Sequence, residues 1–232
     1  METLEVLLSG NPIFSSLNKQ EIGQVCAMAI DRRYARGEFI VVTGDDWPYL
    51  FLVAEGVIQA VKESIEGRSL IVAAFEAGEI FWSSTFFQPE SPSIISIEVK
   101  QPARLYLWSS DRLVPFLKKR GEVTWELCRL MLVRMQRASS ILSEMAFQPV
   151  AGRLARLLIE NFEKSTRDRA ERDLTLDEMA ARIGTTREMV CRLLYRFSDE
   201  NLIKVTRTEF QLTNRSGLMN LAEGEKPEIR NQ

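Results

Sequence analysis

The chain has 232 residues, of which 45% are hydrophobic and 27% charged, and its formal net charge is −2. This length suits two domains, and the composition is typical of a globular protein that buries a sizeable core. The complete absence of histidine excludes Ser-His-Asp and Cys-His catalysis and histidine-ligated metal or haem, so an enzyme is not expected.

The three cysteines, Cys26, Cys128 and Cys191, are too far apart to predict a disulfide framework or a local zinc or iron–sulfur motif, so no metal site is expected. No run of 18 apolar residues predicts a membrane span, and the N-terminus lacks the basic start and apolar core of a signal peptide. These features predict a cytoplasmic protein without a membrane partner.

Residues 32–108 have the pattern of short strands. Apolar segments rich in β-branched residues recur at short intervals, with glycines between several of them: EFIVVTG, YLFLVAEG, VIQAVKES, SLIVAAF, IISIEV and ARLYLW. Short strands at this spacing predict an antiparallel roll or barrel.

From Asp111 the apolar period changes to that of a helix, and residues 122–146 contain no glycine or proline. One stripe repeats in the alternating steps of four and three that are typical of a coiled coil. Its members are Thr124, Cys128, Met131, Met135, Ala138, Leu142 and Met145. Leu127, Leu130 and Ile141 lie on a second flank. We interpret the segment as a dimerisation helix whose second flank covers the roll; a helix packed wholly within its own domain is the alternative.

Pro149 interrupts this helix or makes a hinge, which places a conformational joint at residues 146–150. A new amphipathic helix, AGRLARLLIENFEK, follows, and a polar linker occupies residues 165–173. Residues 148–218 carry a small positive net charge and residues 1–147 a small negative one. That asymmetry permits a DNA-binding C-terminal domain without establishing it. Residues 219–232 are predicted to form a disordered tail.

Two capping-box patterns stand ten residues apart, the first from Thr175 to Glu178 and the second from Thr185 to Glu188. In such a box the threonine oxygen accepts from the amide three residues on, and the glutamate accepts from the amide of the cap. The spacing predicts helices over residues 176–183 and 186–197. Gly184 can adopt the left-handed conformation that ends the first helix. This arrangement predicts a helix-turn-helix.

The second of these helices has one apolar face and one polar face. Val190, Leu193, Leu194 and Phe197 follow the spacing of a buried stripe. Arg187, Glu188 and Arg192 lie on the outward side, in the first turns that a recognition helix presents to the major groove. Arginine can donate twice to guanine, and glutamate can accept from cytosine. The alternative is that Glu188 and Arg192 are a surface ion pair.

Downstream, LIKVTRTEFQLTN predicts two short strands and a tight turn near Arg207, which together would form a wing. Lys204 and Arg207 are candidate phosphate contacts, and solvated surface charge is the alternative.

The segment LTLDEMAARIGTTREMVCRLLYRFSDENLI resembles the cyclic-AMP receptor protein/FNR superfamily of bacterial transcription regulators, and the resemblance covers residues 14–218. It implies an α+β fold with a cyclic-nucleotide-binding-like β-roll (1–110), a dimerisation helix (111–147) and a winged helix-turn-helix (148–218). It also implies a homodimer that reads double-stranded DNA palindromes with TGTGA-like half-sites and contacts RNA polymerase. Thr175 and Thr186 match positions that the family uses against phosphates.

The family's effector pocket would lie at Gly78, Glu79, Phe81, Ser93 and Ser139. Pro92 and Ser93 stand where nucleotide-binding members have an arginine and a serine, and no arginine lies between Arg68 and Arg104. Because a buried cyclic phosphate needs a cationic partner, cyclic AMP is not expected, and neither is a cofactor. The segment FWSSTFFQP is interpreted as filled core or as an apolar pocket for an unidentified effector. An effector-independent regulator, or a regulatory subunit that contacts protein, are the alternatives.

Overall fold

The computed structural model describes residues 3–163 and 168–224. Two compact units divide them, one containing the residues up to 62 with residues 71–138, and the other containing residues 63–70 with those from 139 onward. The elements of the first part of the chain are, in order, α1 (Leu4–Gly10), α2 (Lys19–Met28), β1 (Ile30–Tyr34), β2 (Phe39–Val41), β3 (Tyr49–Glu63), β4 (Ser69–Phe75), β5 (Ile80–Trp82), α3 (Ser84–Phe87), β6 (Ser96–Ser109), α4 (Ser110–Leu117) and α5 (Gly121–Phe147).

Within the described residues, strands β1 to β6 form one sheet with the central order β1-β6-β3-β4; β2 pairs with β6 and β5 pairs with β3. The pairings of β6 with β1, β2 and β3 and of β3 with β5 are all antiparallel. Gly56 in β3 has a φ of +88° and passes so close to β6 that a Cβ there would lie 2.2 Å from the Pro102 carbonyl oxygen. The predicted antiparallel roll is therefore present.

The roll has two apolar cores. Its interior is filled by side chains of β2 to β6, among them the parallel rings of Phe51 and Phe81, whose centroids are 4.3 Å apart. A second core packs the N-terminal helices, α4 and the start of α5 against the other face. There the Trp108 indole donates to the Val25 carbonyl at 2.8 Å. Burial of these large side chains is the main stabilising contribution to the unit.

Helix α5 has 27 residues, and the segment 111–147 that was predicted as the dimerisation helix contains both α4 and α5 rather than one helix. Val123 and Leu127 near its start are buried, and Leu130 is partly buried against the same core. Leu127 and Leu130 therefore cover the roll as predicted, whereas Ile141, the third predicted member of the flank, is half-buried and is not part of this core.

The second unit contains α6 (Val150–Glu163), β7 (Arg169–Glu171), α7 (Leu176–Ile183), α8 (Arg187–Asp199), β8 (Ile203–Val205), β9 (Glu209–Leu212) and α9 (Arg215–Glu223). The helices pack around Leu154, Leu158, Val190, Phe197 and Phe210, while the strands form an antiparallel sheet of order β7-β9-β8.

Two sequence predictions in this unit need correction. Part of the polar linker pairs as β7 with β9, because Ala170 buries its side chain opposite Phe210; residues 164–167 lie outside the described part of the chain. Residues 219–223 continue α9, where Leu218 and Ala222 are buried, so a disordered tail from residue 219 was wrong. Residues 225–232 lie outside the described part.

Among the residues that the structure describes, no helix combines the length and the apolar character that crossing a membrane requires.

Candidate nucleic-acid interface

Helix α7 begins and ends as its sequence predicts. The Glu178 amide donates to the Thr175 hydroxyl at 3.2 Å, and the Thr175 amide donates to the Glu178 carboxylate at 2.8 Å. Gly184 ends the helix with φ 64° and ψ 48°, the left-handed conformation that glycine adopts without a Cβ clash. The capping box and the glycine together set the turn that leads into α8.

Helix α8 begins one residue later than the second capping box implies. Its N-cap is Thr186, whose hydroxyl accepts from the Met189 amide at 3.3 Å. The Thr185 amide instead donates back to the Ala180 carbonyl at 3.0 Å and closes the turn. The Thr185–Glu188 capping box was therefore wrong, which leaves the Glu188 side chain on the outer surface.

The predicted apolar stripe of α8 is buried: Val190, Leu193, Leu194 and Phe197 all lie in the core of the second unit. The predicted base-reading side chains lie outside it, with 67% of Arg187, 82% of Glu188 and 65% of Arg192 exposed. Helix α8 thus presents two guanidiniums and a carboxylate to solvent from its first turns.

These three side chains are held by ion pairs. Arg187 donates to the Asp177 carboxylate at 3.2 Å, and Arg192 donates to the Glu188 carboxylate at 2.9 Å. The surface pair that was the alternative reading is therefore present. Exposed pairs of this kind contribute only about 0–1 kcal/mol, so a base edge can replace the carboxylate at little cost.

The threonines predicted to contact phosphates cap the two helices. Each hydroxyl oxygen accepts a backbone amide, Thr175 from Glu178 and Thr186 from Met189. An accepting hydroxyl keeps its own proton as a donor. Both residues can therefore donate to a phosphate without releasing the helix.

The wing lies between β8 and β9, where Lys204 pairs with Gln211 and Val205 with Phe210. Lys204 and Arg207 are exposed, as a phosphate contact requires. The sequence did not single out Arg172, which donates to the Thr206 carbonyl at 3.0 Å and lies over the Phe210 ring at 5.3 Å. Arg172 therefore stabilises the base of the wing.

Much of the predicted seam of α5 is exposed. Cys128, Met131, Met135, Ala138 and Leu142 face solvent, and Trp125 and Leu132, which the heptad pattern missed, lie beside them. We call Trp125, Cys128, Met131, Leu132, Met135 and Leu142 the apolar stripe. Met145, the last predicted seam residue, is half-buried: its sulfur lies 2.8 Å from where a Cβ at Gly184 would be.

The predicted effector-pocket residues lie in different surroundings. The amide of Gly78 donates to the Val53 carbonyl in the turn before β5, and Glu79 accepts from the Glu76 amide in the same turn. Phe81 is buried in the roll between the rings of Phe51 and Phe75. Ser93 is buried and donates to the Ile95 carbonyl, whereas Ser139 is exposed on α5.

A partly buried arginine that no sequence motif indicated reaches the roll from α5. The Arg134 guanidinium lies over the Trp82 ring at 4.3 Å and the Phe75 ring at 5.0 Å, and it donates to the Ile80 carbonyl. Burial lowers its pKa to about 10, against the opposing effect of the Glu79 charge. Arg134 follows Leu127 and Leu130 at helical spacing, on the flank of α5 that covers the roll. This spacing is the sequence signal that indicates the position of Arg134.

A cavity of about 470 Å³ borders the same region, between the turn at Gly78–Ile80, the loop at Asn11–Ile13 and helix α5. The Asn11 amide side chain donates to the Gly78 carbonyl at 2.8 Å and so ties loop and turn together. Among the described residues, no group of three or more Cys, Asp or Glu side chains could hold a metal ion.

Comparison with known proteins assigns both parts of the chain. The family model of the cyclic nucleotide-binding domain matches residues 31–120, and that of the Crp-like helix-turn-helix domain matches residues 152–221. The chain is 24% identical over 198 residues to the "Cyclic AMP receptor protein" of Thermus thermophilus, covering 85% of this chain and 90% of that protein. It is 22% identical over 207 residues to a "CRP-like cAMP-activated global transcriptional regulator" of Mycobacterium tuberculosis, covering 87% and 92%.

Solved structures show the same fold. A crp/fnr family protein from Eubacterium rectale superposes with a TM-score of 0.78 at 20% identity, covering 91% of this chain and 98% of that one. The c-di-GMP responsive global regulator CLP of Xanthomonas campestris gives 0.72 at 20% identity, covering 84% and 99%. The predicted α+β fold is confirmed, and these relatives are regulators rather than enzymes. With both of its domains matched, the chain belongs to the CRP/FNR family of DNA-binding transcription regulators.

Proposed function

We propose that the protein is a homodimer that binds a DNA palindrome with TGTGA-like half-sites and regulates transcription without cyclic AMP. The observation that carries the proposal is the exposure of Arg187, Glu188 and Arg192 together on the first turns of α8. A DNA-reading helix needs such groups unburied and unblocked.

The chemistry of this face fits a half-site that alternates guanine with other bases. Arg187 and Arg192 can each donate two hydrogen bonds to the O6 and N7 atoms of a guanine. Glu188 can accept from the amino group of a cytosine on the opposite strand. Thr175, Thr186, Lys204 and Arg207 surround the face as donors to phosphates, which fix register and orientation without reading sequence.

Dimerisation is supported by the apolar stripe of α5. Half or more of the surface of Trp125, Leu132, Met135 and Leu142 is exposed in the single chain. An apolar stripe with coiled-coil spacing is typical of a helix that packs against a second copy. Two-fold symmetry then requires half-sites one helical turn apart, about 34–36 Å. We further propose that the dimer works in the cytoplasm and contacts RNA polymerase.

The filled interior of the roll supports regulation without cyclic AMP. Phe51, Phe81 and Phe75 stack in succession, and Arg134 lies between Phe75 and Trp82. No arginine lies between Arg68 and Arg104, and the cation beside the roll is Arg134 of α5. Its guanidinium is nevertheless engaged by two rings and a carbonyl, so a cyclic phosphate would have to displace those contacts.

The test is selection of bound duplexes from a random pool by the purified chain at stated salt, with and without cyclic AMP. We expect a TGTGA-like palindrome in both arms. Recovery only in the presence of cyclic AMP would overturn the nucleotide-independent part. Recovery of no palindrome in either arm, from a chain shown by sedimentation to be folded and dimeric, would overturn base reading by the unliganded dimer.

A further inference from the structure

The last turn of α5 is bonded to the helices of the DNA-binding domain. Arg156 of α6 forms an ion pair with Glu144 at 2.7 Å, and both side chains are little more than one-third exposed. The same guanidinium donates to the Ala222 carbonyl of α9 at 3.4 Å. One side chain of α6 therefore links the end of α5 to the C-terminal helix.

A second arginine joins the ends of two helices. Arg153 is 9% exposed; its Nε donates to the Ile183 carbonyl at 2.9 Å and its Nη1 to the Gln148 carbonyl at 2.6 Å. Ile183 is the last residue of α7, and Gln148 directly follows α5. Carbonyls at helix C-termini lack an intrahelical partner, so each needs a donor from elsewhere. Arg153 supplies both.

An apolar contact completes the connection. The Met145 sulfur fills the space beside Gly184, at the turn between α7 and α8.

Burial lowers the pKa of Arg153, while the charge of Glu144 opposes that shift. The Glu144 carboxylate therefore acts on both arginines, as hydrogen-bonding partner of one and nearby charge of the other.

We propose that these five residues, Glu144, Met145, Gln148, Arg153 and Arg156, form a clamp that positions the recognition motif relative to the axis of α5. Residues 146–150, where the position of Pro149 predicts a joint, are then held by the clamp. The inference deepens the proposed function, because a dimer reads two half-sites only when its two recognition helices are held at one spacing.

The physical reason for the clamp is entropic. A DNA-binding domain that pivots freely on α5 must lose that freedom when both half-sites are engaged, and the loss weakens binding. A fixed connection removes the cost before DNA arrives. It also links the last turn of α5 directly to the turn at Gly184.

The test is a charge swap in the full-length dimer. Arg156→Glu and Glu144→Arg each place like charges opposite one another, and the double variant restores an opposite pair. For a partly exposed pair we expect each single variant to weaken binding of the selected duplex by about two- to fivefold, and the double variant to recover most of it. Arg215→Glu is the matched control, because Arg215 pairs with Glu163 between α6 and α9 at 3.4 Å without touching α5.

A second readout does not depend on DNA. The Gln148 amide donates to the Glu144 carbonyl at 3.0 Å, and its hydrogen exchange reports opening of the last turn of α5. We expect exchange to be faster in both single variants and near wild type in the double variant and in Arg215→Glu. Unchanged exchange in the single variants would overturn the clamp, even if DNA selection fails. Faster exchange with unchanged affinity would overturn its positioning role.

Discussion

The β-roll and the DNA-binding domain use arginine in opposite ways. In the roll, Arg134 is enclosed by Trp82, Phe75 and the Ile80 carbonyl, and burial lowers its pKa. On α8, Arg187 and Arg192 extend into solvent and pair with carboxylates that are themselves exposed. The enclosed guanidinium contributes to packing, whereas the exposed ones remain available for an external partner.

This difference predicts that substitutions in the roll and substitutions on α8 affect different properties, namely stability and DNA binding. Changes around the roll should lower the free energy of unfolding and leave base preference unaltered. Changes on the outer face of α8 should alter binding and leave the free energy of unfolding within about 0.5 kcal/mol of wild type.

The largest effect is expected for the double variant Arg187→Ala, Arg192→Ala. Each lost bidentate contact costs about 1–3 kcal/mol, so affinity for the selected palindrome should fall by at least about thirtyfold. The two affinities, for the palindrome and for a scrambled duplex, can be measured by fluorescence anisotropy of labelled duplexes at one salt concentration. Arg196→Ala is the control, since Arg196 pairs with Glu200 near the end of the same helix. Undiminished discrimination between the two duplexes would refute base reading by α8.

Gly56→Ala should have the largest effect on stability. The new Cβ would lie 2.2 Å from the Pro102 carbonyl oxygen at a φ of +88°, so strain and overpacking together should cost about 2–5 kcal/mol in urea unfolding. Gly67→Ala is the matched control, because Gly67 has a φ of +76° but no atom within 4 Å of the new Cβ. An equal loss in both variants would show that the close approach of β3 to β6 contributes nothing.

Arg134→Ala should cost about 1–3 kcal/mol of unfolding free energy, from the lost cation–π contacts and the lost hydrogen bond to Ile80. Arg137→Ala on the exposed side of the same helix should change it by less than about 0.5 kcal/mol. Repeating the duplex selection with Arg134→Ala should return the same sequence. A different sequence would mean that the roll and the DNA-binding face are not separable.

The smallest effect is expected for Asp177→Asn. This carboxylate accepts from Arg187 at 3.2 Å and lies two residues after Thr175, a proposed phosphate contact. Its neutralisation should release the guanidinium and raise affinity by about twofold at low salt, with the gain shrinking as salt increases. Asp199→Asn, at the far end of α8, controls for the change in net charge. Equal gains in both variants would show that the pairing with Arg187 has no separate effect.

Local signals predicted the DNA-binding motif well. The limits of α7 match because a capping box and a left-handed glycine act within a few residues of the helix. The start of α8 differs by one position because two threonines adjoin, and Thr186 is the one whose extended backbone and hydroxyl satisfy the Met189 amide. The exposed face of α8 followed from helical periodicity alone.

Contacts between distant parts of the chain were not predictable from the same sequence. Arg134 meets Ile80 across more than fifty residues, and the pattern of the strands gives no sign of a cation that comes from α5. Arg153 and Met145 meet the turn at Gly184 through packing of three helices, which no spacing rule reports. Asp177 reaches Arg187 because the turn between α7 and α8 brings two helix starts together.

The apolar stripe of α5 has a consequence for gene dosage. If two chains must meet along Trp125, Leu132 and Leu142 before a palindrome is read, the dimer is scarce at low expression and its amount grows with the square of the chain concentration. In that regime a doubling of synthesis raises operator occupancy by about fourfold. Dimerisation along this stripe would in this way convert a graded change in the synthesis of the chain into a steeper change in operator occupancy.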